Sequence, residues 1–250
     1  MKAPDDIQRA GSGHIIPKEK SGYNERLFGS GIRKNYHEAR FHWLQQQMQQ
    51  RQITAGTVLE LGCFDGRSVS FLPFMPEYYL GFDANWENGL DLAKQQWGQY
   101  PAIKFRSCLC AADFDPTYKS FDFGICLETL EHLPEAELPL YLKALQQAVR
   151  QKIFVTVPVE TGPLAVLKYL YKRFFLAVDE PYTPAELWHL WWGQTHKIAR
   201  VPFGHKGFDY RVLQKTLQQY FHIETVHGLP FKALPPAFNL SCGFVLAPLN

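Results

Sequence analysis

Three groups of residues in this 250-residue chain have the types and spacing to do chemistry. The first is Glu60, Gly62 and Gly66, in the run TVLELGCFDGRSVSFL over residues 57–72. The second is Asp83, which closes YYLGFD at 78–83. The third is Glu128, Glu131 and His132 in LETLEHL, with His205 further on in FGHKGFD. An apolar run that stops at a glycine, bends and restarts as an amphipathic segment reads as a strand entering a ligand-binding turn. A dinucleotide, a phosphate and a nucleoside without phosphate compete for that turn.

The phosphate readings fit poorly. A dinucleotide turn needs G-x-G-x-x-G, with its second glycine letting the backbone approach the pyrophosphate; Phe64 holds that position, and Asp65 adds negative charge beside it. A P-loop ends Gly-Lys-Ser/Thr, whereas this turn ends Gly-Arg-Ser with different spacing. A ligand with a cationic centre suits Glu60, Asp65 and Asp83 better. Asp83 follows Glu60 by 23 residues and ends the next strand-like run, where a carboxylate accepts from ribose hydroxyls. S-adenosylmethionine, a nucleoside carrying a sulfonium, meets these demands. Taken singly, Glu60 also reads as an edge acid, Asp83 as a helix N-cap and Asp113 as a turn former.

The elements that must position these residues alternate. Strand-like runs lie at 57–62, 78–83, 103–110, 121–127 and 152–158, with helical patterns at 67–74, 86–97 and 135–150 between them. Several strands are apolar on both parities, as strands covered on both faces are. The fold class is therefore α/β: a doubly wound, mostly parallel, seven-stranded Rossmann-like sheet. Its last strands, 221–228 and 240–248, follow a helix at 209–220 and are expected to pair antiparallel. Residues 160–208, helical and aromatic-rich at 162–178 and 183–193, form an insertion after the fifth strand. Residues 1–52 read as a loose arm over 1–31 plus a helix over 32–52 that carries Tyr36, His37 and Arg40 toward the pocket. Residues 53–250 form a single domain.

VLELGCFDG, GFDA and FDFGICLETLEHLPE resemble, in order and spacing, motifs of class I S-adenosylmethionine-dependent methyltransferases. The likeness covers roughly residues 55–160 and more faintly 205–247. It implies that Glu60, Gly62 and Gly66, with Cys63 in the same turn, shape the cofactor loop. It further implies that Asp83 with Ala84 holds the ribose, that Asp113 approaches the adenine amine, and that Leu127 forms part of the cofactor wall. The segment Glu128–His132 resembles that of ubiquinone-type O-methyltransferases, and also the E-x-x-E-H part of metal-dependent small-RNA 2′-O-methyltransferases. On one helical turn, Glu128, Glu131 and His132 would face one ligand. The resemblance makes His132, Glu131 and His205 the catalytic candidates, with no metal in the preferred reading.

The expected activity is methylation of a small molecule, apolar or aromatic, at oxygen. The alternatives are metal-dependent RNA 2′-O-methylation and an inactive cofactor-binding scaffold. A net charge of +2 argues against a general nucleic-acid binder, and no DNA partner is expected. Residues 53–160 hold eight basic against fourteen acidic side chains, while both flanks hold nine against five. An acidic centre suits a cationic ligand; the basic, aromatic segment 163–192 suits either a lid over the acceptor or peripheral contact with a membrane. The five cysteines show no C-x-x-C pair and read as buried hydrophobes in a reducing, cytoplasmic setting.

Overall fold

The computed structural model describes residues 7–9, 15–17, 31–116, 120–175, 181–201 and 204–249. Most of the expected N-terminal arm lies outside the described residues, as does the side chain of Tyr36. Within the arm, β1 (Ile7–Arg9) and β2 (Ile15–Pro17) pair antiparallel.

Seven strands form one mixed sheet: β3 (Thr57–Leu61), β4 (Tyr78–Asp83), β5 (Ile103–Ser107), β6 (Phe121–Leu127), β7 (Val149–Pro158), β8 (Phe221–Leu229) and β9 (Ser241–Pro248). Their order is β5-β4-β3-β6-β7-β9-β8. β3 pairs parallel with β4 and β6, and β4 with β5. β9 runs antiparallel to β7 and β8, as the sequence suggests. Strand order reverses between β3 and β6, the place where doubly wound sheets bind ligands. Burial follows position in the sheet. Ile153–Pro158 of β7 are buried on both faces, while the edge strand β8 alternates.

The chain divides into two compact units, residues 1–125 with 147–150, and residues 126–146 with 151–250. In the first, α1 (Gly31–Gln50) buries Phe41, Trp43, Leu44 and Met48. Phe41 stacks on Phe71 with ring centroids 5.1 Å apart. Where the sequence suggests a helix over 67–74, a single 3-10 turn forms at Arg67–Phe71. Pro73 forces Leu72 into an extended conformation and stops the coil. The helix expected from residue 86 begins late, as α2 (Gly89–Trp97), because Asn85, Glu87 and Asn88 adopt left-handed φ. The Asn85 side chain accepts from the Leu90 N–H at 3.0 Å and so caps α2 from a distance.

In the second unit, α3 (Leu138–Ala148) precedes β7, and the insertion supplies α4 (Pro163–Phe175) and α5 (Pro184–Trp191). Thr183 and Glu186 form a reciprocal capping box around Pro184, which fixes the start of α5. Ala165, Val166, Leu190 and Ile198 make a small core beneath the two helices. α6 (Tyr210–Leu217) is capped by Asp209, which accepts from the Arg211 N–H at 2.9 Å. No helix among the described residues is long and apolar enough to cross a membrane.

Candidate functional site

The turn after β3 directs its own donors inward. The N–H groups of Gly62 and Cys63 donate to the Phe82 carbonyl at 2.7 and 3.1 Å, and that of Gly66 donates to the Cys63 carbonyl at 2.8 Å. Phe64 N–H donates to Asp83 Oδ2 at 3.0 Å, and Arg67 N–H to Asp65 Oδ1 at 3.1 Å. These five donors are thus turned away from any phosphate, which needs a row of outward-facing N–H groups.

Left-handed φ at Gly62 (+80°), Phe64 (+44°) and Gly66 (+69°) makes the bend. Gly66 is also required by crowding: a Cβ there would lie 2.8 Å from the Phe105 ring and 3.0 Å from Trp97. Cys63 is buried, and the same crowding at Gly81 shows its sulfur pressed against the backbone of β4. Burial pushes its thiol well above the ordinary range, so Cys63 fills space and is unreactive.

Glu60 lies inside the protein, with 2% of its surface exposed. Its Oε2 accepts from the Tyr79 hydroxyl at 2.5 Å and from the Ser68 hydroxyl. The carboxyl therefore ties β3 to β4 and to the turn at Arg67–Phe71, and it meets the core where the sequence suggested a ligand. Burial raises its pKa to about 7 against the two hydrogen bonds, with Asp65 and Asp83 adding repulsion. Asp83 is half-buried; its oxygens accept from the N–H groups of Phe64 and Asn85, with that of Trp86 also bonded. Burial raises its pKa to about 6. An ionised carboxylate offers about four acceptor sites, so at least one remains for a hydroxyl. Asp65 pairs with Arg67 at 2.9 Å, and Ala84 is half-buried beside Asp83. Asp113 is exposed; its Oδ2 accepts from the Leu109 and Cys110 N–H groups at 2.8 and 3.2 Å, which close a turn and lower its pKa.

The second unit gathers the other candidates. Leu127 is buried at the end of β6. Glu128 has φ +54° and lies outside the 3-10 turn Leu130–His132. The helical turn expected to align Glu128 with Glu131 and His132 is thus a correction: the chain leaves β6 through a left-handed residue before it coils. Glu131 is buried, with His132 Nε2 3.8 Å from its Oε1. The His132 and His205 rings meet edge-on with centroids 4.9 Å apart. Residues distant in sequence are thereby brought together.

Three further residues build this cluster; sequence reasoning did not single out Glu160 or Arg200, and placed Lys168 only among the basic residues of the aromatic insertion. Glu160 lies 3.7 Å from His205 Nδ1 and holds Lys168 at 2.5 Å. Arg200 donates to the Glu131 carbonyl at 2.5 Å and to the carbonyls of Val201, Gly204 and Lys206. It thereby clamps the loop of His205 onto the turn of His132. Burial of the Nδ1 edge, then His132, Lys168, Lys172 and Arg200, depress the His205 pKa well below the ordinary value, so the ring is neutral at pH 7. The rest of that side chain is open, at 42% exposure, which leaves it reachable by a ligand. Among the described residues, no group of three or more His, Cys, Asp or Glu side chains is arranged to hold a metal ion.

Solved structures share this fold. A S-adenosylmethionine-dependent methyltransferase from Clostridium acetobutylicum superposes with TM-score 0.59 at 12% identity, over 91% of this chain and 96% of that one. Magnesium protoporphyrin IX methyltransferase from Synechocystis, with bound SAH, gives TM-score 0.55 at 15% identity, over 90% and 92%. The small RNA methyltransferase HEN1 gives 0.59 at 13% identity, over 95% of this chain and 28% of that one. No family model and no curated protein matches the sequence. The chain therefore has the fold of S-adenosylmethionine-dependent methyltransferases.

Glu60 generates a measurable signature. Its folded pKa of about 7 exceeds the ordinary 4.5, so the folded state holds a proton that the unfolded state gives up across that window. Stability must fall as pH rises through it, by an order of about 3 kcal/mol if no other group compensates. In Glu60→Gln the fall in melting temperature between about pH 5 and about pH 8 is expected to be clearly smaller than in the parent protein. Parallel curves, read by differential scanning calorimetry, would refute the buried protonation.

Proposed function

We propose that this protein is a S-adenosylmethionine-dependent methyltransferase that methylates a small molecule at oxygen. The observation that carries the reading is Asp83. It ends β4, the strand beside β3 at the strand-order reversal, and is fixed by the Phe64 N–H of the glycine turn, while retaining acceptor capacity. The donor set fits the cofactor. Burial raises the proton affinity of Glu60 and Asp83, and repulsion from Asp65 adds to it at both, as suits groups awaiting a cation.

When bound, the cofactor supplies a methyl group already activated on its sulfonium. Asp83, with the backbone of Ala84 beside it, accepts from the ribose hydroxyls. The backbone of Gly62 and Cys63 lines the bend, and Asp113 receives the adenine amine through its remaining oxygen. His132 takes the proton that the acceptor hydroxyl loses. The buried Glu131 carboxylate stabilises the imidazolium that results. Neutral His205 accepts a hydrogen bond from a second donor group of the acceptor, its loop held by Arg200. Only a protonated nucleophile needs such a base, and this is what favours oxygen as the acceptor atom.

A second reading has one observation in its favour. Glu131, His132 and His205 are residue types of the set that would hold a divalent cation in RNA 2′-O-methylation, and a small RNA methyltransferase shares the fold, although no three such side chains among the described residues are arranged to hold an ion. The missing alignment of Glu128 and the weak net charge of +2 weigh against it.

Three experiments test these readings, and the last separates them. Cofactor affinity, measured by calorimetry, is expected to rise with pH through about 6, because a cationic ligand favours ionised Asp83. Asp83→Asn should weaken binding by about tenfold or more and flatten that rise; unchanged affinity removes the ribose role. His132→Ala should slow turnover by about a hundredfold while cofactor affinity holds. EDTA should leave the parent turnover intact, whereas loss on chelation and recovery with magnesium would establish the RNA-type reading.

A further inference from the structure

The second unit exposes large apolar side chains that the proposed chemistry does not use. On α4, Leu167, Tyr171 and Phe174 recur at helical spacing on the side away from the buried Ala165, Val166 and Tyr169. Phe174 is 77% exposed. On α5, which packs against α4, Trp188, Trp191 and Trp192 face out, and the Trp188 and Trp192 rings meet edge-on at 5.8 Å. The turn at Pro236–Phe238 contacts α4 and adds the exposed Phe238. Exposed aromatic surface of this extent on a monomeric protein marks an interaction site.

The charge on these segments has one sign. Residues 162–175 carry Lys172 and Arg173 and no acid, besides Lys168, which is paired with Glu160; residues 187–201 carry Lys197 and no acid, besides Arg200, which bonds to backbone carbonyls; residues 229–240 carry Lys232 and no acid. Glu186, at the start of α5, is neutralised by Lys206 at 2.9 Å. Asp179 and Glu180 lie outside the described residues. We propose that α4, α5 and the Pro236–Phe238 turn form a docking surface for an anionic lipid bilayer. Tryptophan and tyrosine sit at the headgroup level, phenylalanine and leucine enter the acyl boundary, and lysine and arginine meet lipid phosphates. The aliphatic Leu167 and the outward Phe174 favour a bilayer over single-stranded RNA, which stacks its bases on aromatic rings and gains little from a leucine.

The test is co-sedimentation of the full chain with vesicles, and it reads neither cofactor binding nor turnover. Binding to equal parts phosphatidylcholine and phosphatidylglycerol is expected to exceed binding to phosphatidylcholine alone by about tenfold, to weaken with salt and to shift tryptophan emission to the blue. The triple variant Phe174→Ser, Trp188→Ser, Trp192→Ser should lose about tenfold or more of that binding. Lys172→Gln with Arg173→Gln should lose a similar factor on anionic vesicles alone. The charge pair keeps the test decisive if the triple variant does not fold, as far-UV circular dichroism would reveal. The proposal is overturned by absence of binding to anionic vesicles, by binding that survives the charge substitutions, by binding of an RNA oligonucleotide in place of vesicles, or by lipid-free self-association that the same substitutions abolish.

Discussion

The hydrogen bond from the Phe64 N–H to Asp83 joins the turns at the ends of β3 and β4, and the first unit's local geometry depends on it. It brings the end of β4 against the bend after β3, and it takes one more donor out of that bend. A turn with its N–H groups free is an anion site whatever its sequence; a turn that has turned them inward is not. The acid at position 83 is thus a ligand for the backbone and one of several acceptors, with the carbonyls of Phe82 and Cys63 and the Asp65 carboxylate, that take the bend's donors from phosphate. The bend must still be tight, and φ values of +80° and +69° at Gly62 and Gly66 supply that. Phe64 pays for the remaining left-handed position with backbone strain, since its side chain has no such freedom.

Burying Glu60 has a consequence for the same surface. A carboxyl held near half protonation at neutral pH by burial is easily tipped by nearby charge. Asp65 and Asp83 hold it on the protonated side, and any cation brought to this end of the sheet would release that proton. The acids at 60, 65 and 83 therefore act as a set, although of the three only Asp83 is not fully buried. Tyr79 and Ser68 keep the buried carboxyl satisfied in either state, because a hydroxyl donates to a carboxylate and to a protonated acid's carbonyl alike.

Much of the sheet was legible because its signals are local. Strand positions follow from apolar runs such as TVLEL and KIFVTVP, and the antiparallel end of the sheet follows from two strands with no helix between them. What the sequence misjudged lies where a single residue overrides a pattern. Pro73 stops a helix that hydrophobic spacing favours, and left-handed Asn85, Glu87 and Asn88 delay another. Glu128 fails to join its expected helical turn for the same reason. The glycines were read correctly as a bend, yet the neighbour that excludes a side chain at Gly66 is Phe105, some forty residues on, which no local pattern reveals.

The histidine cluster shows the other limit. His132 and His205 are visible as residue types, but what makes them a pair is Arg200, whose side chain bonds to four carbonyls spread over residues 131–206. Backbone acceptors leave no mark in a sequence, so a residue that works by gathering them is invisible until the chain is folded. The electrostatic result is equally collective. A lone histidine near a carboxylate such as Glu160 would be expected to hold its proton, yet Lys168 already occupies that carboxylate at 2.5 Å. With its Nδ1 edge buried, the acid's charge spent on lysine, and Lys172 and Arg200 also near, His205 stays neutral. In the proposed chemistry, a neutral ring with an open edge, beside a second histidine backed by a buried acid, would separate the task of orienting an acceptor from that of receiving its proton.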